Sequence, residues 1–391
     1  MTDTLAAPRP AAPAVEVAQP PAAAPGRLLS LDVFRGLTVA AMLLVNNPGT
    51  WSAVYDPLEH APWHGWTPTD LIFPFFLFIV GVAMTFSFDA QLAKGASPGR
   101  VWARAARRSA VLFLLGLLLA AFPYYNLDPG HLRVMGVLQR IGLAFLLAAT
   151  VVLFTSLRAQ VGIAAALLLG YWAAMTLVPV PGFGAGDLSK DGSLAAYVDR
   201  MVLGTDHLWA QAKTWDPEGL LSTLPAVATV LLGVFAGRWL RGGRTPAERA
   251  VGLFAAANVL LVAGLVWNAA FPINKNLWTS SYVLFTGGVA LHVLAMTYWL
   301  VDVRGWKRWT RPFVVFGVNA IAAFFLSGVM ARLLTLIKVP GGKTLKGWIF
   351  DGAFASWLPP HAASLAFALC FVLFWIGVME VFYRRRLFIK V

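Results

Sequence analysis

A short stretch of the sequence brings together side chains that can move protons and stabilise charge. Asn46 ends the first apolar segment, His60 follows in the next loop, and Asp70 comes ten residues after His60. An imidazole suits acid–base chemistry near neutral pH, a carboxylate can orient it, and an amide can donate to a developing oxyanion. The spacing alone, however, favours a belt of histidine and tryptophan residues at a membrane interface.

The same stretch suggests other uses. Thr69 or Asp70 could cap a helix, because a continuous apolar run follows at once. His60 and His64 are four residues apart, but two prolines and a glycine interrupt the stretch and it contains no HExxH helix, so no metal is predicted. A Ser–His–Asp arrangement is not indicated, because no serine follows a predicted strand in a sharp turn.

Charged residues within or beside apolar segments form two further groups. Asp32 and Arg35 are three residues apart at the start of the first apolar segment, so they share one face of a helix. Arg140 falls inside a later apolar stretch, where a charge should face the bundle interior and find a partner. Both groups are explained equally well by a functional site and by a structural ion pair, which for Arg140 would involve a buried carboxylate.

Two polar strings precede later apolar segments. The first runs from Trp215 to Gly219, and the second runs from Asn274 to Tyr282. Carboxylates, amides and indole faces are groups that bind sugar hydroxyls and rings, whereas capping of the following helices by Asp216 and Asn276 is the structural alternative. The candidate substrate-binding residues are Asp216, Glu218, Asn274, Lys275, Asn276 and Trp278.

The elements that must position these residues are membrane-spanning helices. Of the 391 residues, 59% are hydrophobic and only 13% are charged, whereas a soluble domain has about 25% charged residues. This composition excludes soluble enzyme folds. The single cysteine, Cys370, excludes a disulfide framework and any zinc or iron–sulfur site built on cysteines.

About ten apolar segments have the length that crosses a bilayer, and they predict an all-α polytopic helix bundle. Their centres are near Val39, Phe78, Leu115, Leu146, Leu169, Leu231, Leu260, Val289, Phe325 and Phe371. The Pro/Ala-rich residues 1–26 are predicted to be a disordered cytoplasmic tail, and residues 27–391 a single transmembrane domain.

The basic residues predict the orientation of the bundle. The net charge is +13, from 31 Lys and Arg against 18 Asp and Glu, and most of these basic residues fall in alternate loops, as the cytoplasmic loops of a membrane protein require. Both termini are therefore predicted to be cytoplasmic, and the charge needs no nucleic-acid partner. The loops predicted to face outward are 47–69, 123–133, 179–218, 271–277 and 338–360.

Seven strings in the chain, taken together and in order, resemble the heparan-alpha-glucosaminide N-acetyltransferase family of transmembrane acyltransferases, which includes bacterial NagX-like members. They are SLDVFRG at Ser30–Gly36, VN at Val45-Asn46, HAPWHGWTPTDLIFPFFLFIVG at His60–Gly81, GVLQRIG at Gly136–Gly142, WDPEG at Trp215–Gly219, INKNLWTSSYV at Ile273–Val283 and VDVRG at Val301–Gly305. The resemblance covers most of the chain from about Arg27 onward.

The resemblance implies an enzyme that takes acetyl-CoA and acetylates an amino sugar on the opposite side of the membrane. The family's catalytic histidine matches His60, its functional asparagine matches Asn46, and the acid that closes the motif matches Asp70. His64 stands where the lysosomal enzyme has a different residue, so it receives no catalytic role. The resemblance also suggests a homodimer in a bacterial inner membrane, with the acceptor site on the periplasmic side.

Acetyl-CoA carries several phosphate charges, which basic side chains near the cytoplasmic ends of the helices should attract. The candidate cofactor-binding residues are Arg35, Arg104, Arg107, Arg108, Arg140 and Arg238. An amino-sugar transporter is the main alternative, although a transporter should need broken spans or repeats. An O-acetyltransferase of cell-envelope polysaccharide would keep the mechanism and change the acceptor.

Overall fold

The computed structural model describes residues 28–124 and 128–389, and these residues form helices joined by loops. The predicted tail, residues 1–26, lies outside the described residues. The helices of the described residues are α1 (Leu29–Asn46), α2 (Ile72–Ala93), α3 (Pro98–Ala121), α4 (Val137–Phe154), α5 (Leu157–Leu177), α6 (Leu194–Leu203), α7 (Thr223–Arg241), α8 (Pro246–Trp267), α9 (Ser280–Tyr298), α10 (Arg311–Val318), α11 (Ala320–Leu336), α12 (Leu345–Phe350) and α13 (Pro360–Arg384).

The described residues confirm the all-α polytopic prediction, and the chain is a multi-pass integral membrane protein. Eight of these helices are long and apolar enough to cross a bilayer, and α10 with α11, bent by 84°, adds a ninth crossing if the pair spans together. All ten predicted centres lie inside helices. The segment centred on Leu115 is α3, which falls short of the same standard because its first half carries four arginines.

Local sequence signals set where several helices begin. Ser97 accepts a hydrogen bond from the backbone of Arg100 at the start of α3. Thr245 and Glu248 form a capping box at the start of α8, where each side chain satisfies a backbone N–H of the other residue. Pro98 and Pro246 occupy first-turn positions, where the lost N–H would have no helical partner.

Paired glycines bring helices α2 and α7 into close contact. A Cβ added to Gly81 of α2 would lie 1.9 Å from the carbonyl oxygen of Val230 in α7, and one added to Gly233 of α7 would lie 2.0 Å from that of Phe78 in α2. Neither site has room for a methyl group, so the two backbones touch directly. Close approach through small residues is a common way for helices to associate in membranes.

Helix α7 is the centre of the bundle. It packs against α2, α4, α5 and α9, and 72% of its most apolar stretch is buried, compared with 22% for α8. The outer surface of α8 is therefore left to the lipid, whereas α7 is enclosed by its neighbouring helices.

The loops predicted to share the outer face do lie together. The indole N–H of Trp63 donates to the carbonyl of Leu188 at 2.8 Å, and the backbone N–H of Gly65 donates to the carbonyl of Ile273 at 2.8 Å. Further contacts join the 123–133 loop to the 179–218 loop through Arg133. The assignment of this face to the outside of the membrane stays a prediction.

Candidate functional site

His60 and Asp70 form a hydrogen-bonded pair at the start of α2. The distance from His60 Nδ1 to Asp70 Oδ1 is 2.5 Å. The Asp70 side chain is only 1% exposed, whereas the His60 side chain is 50% exposed. One partner is thus enclosed by protein, and the other is open to a ligand.

The loop around this pair is held by the other oxygen of the same carboxylate. Asp70 Oδ2 accepts from the backbone N–H of Ala61 at 3.1 Å and from that of Thr67 at 2.9 Å. Thr67 is the residue that precedes the 3₁₀ turn Pro68–Leu71, which leads into α2. The N-cap residue is therefore Thr67 and not Thr69, and Asp70 takes part in the cap as the third residue of the turn, where its carboxylate accepts from the Thr67 N–H.

Helix α9 also holds the backbone of Asp70, through Tyr282. The Tyr282 hydroxyl donates to the Asp70 carbonyl at 2.5 Å, and its ring packs at 5.3 Å from that of Trp278. Both side chains are fully buried. The carboxylate that faces His60 is thus anchored through its own main chain as well as through its side chain.

Asn46 lies at the last position of α1 with an exposed side chain. Helix α1 also contacts the 3₁₀ turn that carries Asp70, so Asn46 belongs to the same end of the bundle. Among the described residues no hydrogen bond links Asn46 to His60 or Asp70. The neighbouring Asn47 is instead buried and donates to the carbonyl of Leu43 at 2.9 Å.

A second polar group lies where the 123–133 and 179–218 loops meet. Arg133 donates from Nε and Nη2 to the two oxygens of Asp216, at 2.8 and 2.6 Å, and from Nη2 to Glu218 at 2.6 Å. Burial alone would raise the pKa of Glu218, but Lys275, Arg133 and Arg140 hold that pKa below its ordinary value. The Glu218 carboxylate is therefore held as an anion behind the loop surface.

Helix capping by Asp216 and Asn276 is not what the structure shows. The residue that precedes α7 is Ser222, and the one that precedes α9 is Thr279. Asp216 instead accepts from the backbone N–H of Glu218 at 2.9 Å, in addition to its bonds from Arg133.

Arg140 is completely buried under this group, but its partner is not a carboxylate as the sequence suggested. Its Nη2 donates to the carbonyl of Gly219 at 3.0 Å and to the Ser222 hydroxyl. The guanidinium lies 5.1 Å from the ring centre of Trp278. Asp216 and Glu218 act on it only through space, because Arg133 already occupies them.

Four of the six predicted substrate-binding residues are enclosed by protein, and two of them, Trp278 and Asn274, are fully buried. Trp278 is fully buried against Phe73 and donates from its indole nitrogen to Thr229 at 3.1 Å. Asn274 is also fully buried, and its side chain faces His64. Direct contact between either residue and an acceptor would require the loops to open.

Five of the six arginines predicted to bind the cofactor lie at helix ends that the charge pattern assigns to the cytoplasm. Arg104 donates to the Gln91 amide at 2.7 Å, and Arg108 lies 5.2 Å from the ring centre of Phe145. Arg140 lies apart, with the outer loops. The five are Arg35, Arg104, Arg107, Arg108 and Arg238.

Arg35 and Asp32 do form the ion pair that their spacing suggested, at 3.3 Å. Arg35 also donates to the carbonyl of Gly317 in α10 at 3.1 Å. A Cβ on Gly317 would lie 2.1 Å from the Asp32 carbonyl oxygen, so α1 and α10 touch at this point. The Asp32–Arg35 pair therefore lies where α1 joins α10.

Comparison with known proteins identifies the family. The family model described as "Heparan-alpha-glucosaminide N-acetyltransferase, catalytic" matches residues 27–267. The chain belongs to this family. The match contains His60, Asp70, Arg133 and Glu218, so both polar groups of the outer loops fall within the family's catalytic region.

Two curated members of the family are similar to this chain over most of its length. The human heparan-alpha-glucosaminide N-acetyltransferase is 33% identical over an alignment of 357 residues. That alignment covers 77% of this chain and 53% of the human protein. The mouse protein of the same name is 29% identical over an alignment of 419 residues. That alignment covers 93% of this chain and 60% of the mouse protein. The chain thus spans about half to three-fifths of the relatives' length.

Several residues of this family site were missed from the sequence. Thr67 stands three residues before Asp70, which is the spacing of a capping box and could have been found. Arg133, a basic residue on a loop predicted to face outward, was a signal that an acid lies nearby. The contacts of Tyr282 and His64 had no local signal, because their partners lie more than 200 residues away.

Proposed function

We propose that this chain is a transmembrane acetyltransferase that moves an acetyl group from cytoplasmic acetyl-CoA to the amine of a glucosamine-type sugar on the outer side of the membrane. The observation that carries the proposal is the pairing of a half-exposed His60 with an enclosed Asp70. Membership of the family supports the same reaction class.

The pair sets the proton on the His60 ring. A carboxylate can only accept hydrogen bonds, so Nδ1 of His60 carries the hydrogen that points to Asp70. In the neutral ring the other nitrogen, Nε2, then keeps its lone pair. That nitrogen can act as a general base or as a nucleophile.

Two sequences of steps use this lone pair. In the first, Nε2 of His60 attacks the thioester carbonyl, the C–S bond breaks, the thiolate leaves, and the sugar amine then takes the acetyl group from the ring. In the second, Nε2 removes the proton from the sugar amine as the amine attacks the thioester directly. In both, the products are an amide and a free thiol, and the proton passes through His60.

Asn46 is proposed as a donor to the oxyanion that forms in either sequence. Its exposed amide lies at the end of α1, a helix that contacts the turn bearing Asp70. Removing one such donor costs about 2.7–4 kcal/mol in other enzymes. The five arginines at the opposite helix ends are proposed to attract the phosphates of the nucleotide.

The wider setting follows from the same proposal. The basic helix ends would face the cytoplasm of a bacterial inner membrane, and the acceptor would be bound on the periplasmic side by the outer loops. The active form would be a homodimer in the bilayer.

One structural feature is shared with transporters, since α10 and α11 form a broken helix pair. The break, however, is filled by the chain itself. Asn319, which is fully buried at the break, donates to the carbonyl of Leu387 at 3.1 Å and accepts from the backbone N–H of Ile389 at 3.1 Å. The break thus has its polar groups satisfied by the segment after α13, which favours a structural joint over a solute site.

The experiment is acetyl transfer in liposomes with acetyl-CoA and glucosamine, followed by thiol release and by mass spectrometry of the sugar. We expect His60→Ala to lower the rate by roughly 10²- to 10⁴-fold, since it removes the acid–base group, without loss of folding or of CoA binding. His131→Gln, a change of an exposed histidine on the same face, serves as the matched control.

Transfer that persists in His60→Ala would overturn the assignment of the catalytic residue. A native protein that releases no thiol with any amine or hydroxyl acceptor would overturn the reaction class, and uptake of amino sugars would then be the next assay. Acetylation of hydroxyl sugars in preference to glucosamine would identify an O-acetyltransferase.

A further inference from the structure

His64 is held in a defined hydrogen-bonding state by Asn274. The side-chain oxygen of Asn274 accepts from the backbone N–H of Leu277 at 2.9 Å, which fixes the orientation of the amide. Its Nδ2 therefore faces His64 Nδ1 at 3.3 Å. An amide nitrogen only donates, so Nδ1 of His64 accepts and the hydrogen of the neutral ring lies on Nε2.

The two histidines of this loop thus have opposite tautomers. Nδ1 of His60 donates to a carboxylate, which leaves Nε2 of His60 as an acceptor. Nδ1 of His64 accepts from an amide, which leaves Nε2 of His64 as a donor. Because four residues span at most about 14 Å, the two rings belong to one small region of the loop, which offers an acceptor at His60 and a donor at His64.

The surroundings of His64 favour the neutral ring. Partial desolvation lowers the pKa of His64, and its ring partner Asn274 is uncharged. The backbone on the C-terminal side is fixed too, since Gly65 donates to the carbonyl of Ile273 at 2.8 Å. His64 is nevertheless exposed, so the residue is open to a ligand.

The ring of Trp63, which contacts the ring of Trp215, lies next to His64. The Trp63 ring is half-buried, and its centre lies 5.0 Å from that of Trp215 and 6.3 Å from that of His64. The indole N–H is already used by the Leu188 carbonyl, which fixes the plane of the ring. A fixed indole beside a neutral donor is suited to a ligand that has an apolar face and hydroxyl groups at its edge, as a pyranose ring has.

We propose that His64 and Trp63 form the acceptor subsite, in which the Nε2–H of His64 donates to a ring hydroxyl of a hexosamine and the Trp63 indole packs against the sugar ring. The inference rests on the proposed function and names the feature of the acceptor that the loop reads, namely a hydroxyl-bearing ring. His64 acts here as a binding residue, and His60 keeps the chemical step.

The test compares two amines, glucosamine and propylamine, which has no hydroxyl groups. His64→Phe removes the donor but keeps a planar ring, so we expect the KM for glucosamine to rise by about 3- to 10-fold, the worth of one neutral hydrogen bond. The KM for acetyl-CoA and the kcat/KM for propylamine should stay within about twofold of the native values.

Two further variants define the subsite. His64→Gln, which keeps an N–H donor, should recover a glucosamine KM within about twofold of the native value. Trp63→Leu should raise the glucosamine KM and leave that for propylamine unchanged. His131→Phe, which changes an exposed histidine outside the subsite, should alter neither.

Direct binding of radiolabelled glucosamine to the same proteins separates the two proposals. If the native protein acetylates glucosamine and His64→Phe leaves its KM and binding unchanged, the subsite is wrong and the proposed function stands. Equal losses with glucosamine and propylamine would also overturn the subsite, because they would indicate a general disturbance of the loop. A native protein that neither binds nor acetylates glucosamine would overturn both.

Discussion

At the scale of the residue, one carboxylate orients the His60 ring and also holds the backbone that carries it. Asp70 uses Oδ1 for His60 and Oδ2 for the N–H groups of Ala61 and Thr67. Since Ala61 directly follows His60, the ring and its main chain share a single anchor. An exposed imidazole is thereby kept in one orientation without being buried.

Asp70→Asn tests this arrangement. The amide keeps the shape of the carboxylate but can donate toward Nδ1 of His60, which would move the ring hydrogen to Nε2 and remove the reactive lone pair. We expect kcat for acetyl transfer to fall by roughly 10²- to 10⁴-fold, with the KM for acetyl-CoA nearly unchanged. Steady-state kinetics of the purified protein would measure both.

Asp56→Asn is the matched control, because Asp56 is an exposed carboxylate earlier in the same loop. It should retain the native kcat. If Asp70→Asn kept more than half of the native kcat, Asp70 would have no role in setting the state of the ring.

Some contacts of the site residues could be predicted from the sequence, and others could not. The pairing of His60 with Asp70 could be predicted because both lie in one loop and are close along the chain. The partner of Arg140 could not, because it depends on how α4 is rotated toward the residues before α7. Trp278 looked like a surface residue in the string, yet its indole turns inward and donates to Thr229.

At the scale of the element, the contact between α2 and α7 helps to position the turn that carries Asp70. Asp70 lies in the turn that leads into α2, so displacement of α2 moves the anchor of His60. The paired glycines at this contact, Gly81 and Gly233, leave no room for a larger side chain.

Gly233→Ala should therefore lower both stability and activity. Its Cβ would fall 2.0 Å from the Phe78 carbonyl oxygen, and overpacking of this kind costs about 1–3 kcal/mol. We expect a lower Tm in detergent and a reduced rate of acetyl transfer. Gly170→Ala in α5, where a Cβ meets nothing within 4 Å, should leave both at or above the native values. Equal losses in the two variants would contradict a specific contact.

Helix α6 is joined to the loop that carries Glu218 through a buried acid. Asp199 Oδ1 accepts from the backbone N–H of Leu220 at 2.7 Å. Burial raises the pKa of Asp199 to about 7, and the nearby charge of Asp216 adds to the rise, while the hydrogen bond from Leu220 and the charge of Arg140 oppose it. This acid is therefore mostly protonated below neutral pH in the folded protein.

The sign of the pH dependence follows from that shift. Between about pH 4, where an ordinary aspartate titrates, and pH 7, the folded protein holds a proton on Asp199 that the unfolded chain has lost, so stability falls as pH rises. Asp199→Asn removes this effect. The Tm of the variant should therefore rise relative to the native protein by a few degrees between pH 5 and 8, as measured by thermal unfolding in detergent.

Asp206→Asn, which changes an exposed acid in the same outer loop, provides the comparison. Its Tm should track that of the native protein across the same pH range. A Tm difference for Asp199→Asn that stays flat with pH would show that the acid is ionised throughout.

The long helices were predictable as elements and the short ones were not. An apolar run of spanning length gives a clear signal, and all ten predicted centres lie in helices. Helices α6 and α12 fall inside segments that were read as outer loops, because a helix of ten residues or fewer has no such run. The sharp bend at Asn319 was also missed, although Gly317 stands two residues before it.

At the scale of the whole molecule, the distribution of basic residues predicts which end of the bundle faces the cytoplasm. Single cysteines in a Cys370→Ser background would test it. An impermeant maleimide should label Gln211→Cys in intact cells, because this exposed residue lies in a loop predicted to face outward, but should label Arg158→Cys only after the membrane is opened. The reverse pattern would invert the predicted orientation.

Two contacts of the candidate site can form only late in synthesis, because their partners lie far apart along the chain. Asn274 follows His64 by 210 residues, and Tyr282 follows Asp70 by 212. At the usual pace of translation the chain needs roughly 10 to 40 seconds to cover that distance. During synthesis the loop that carries His60 and His64 therefore lacks its contacts with Asn274 and Tyr282 for this time. A nascent chain that stops before α9 carries His60 and Asp70 but no Tyr282 to anchor them.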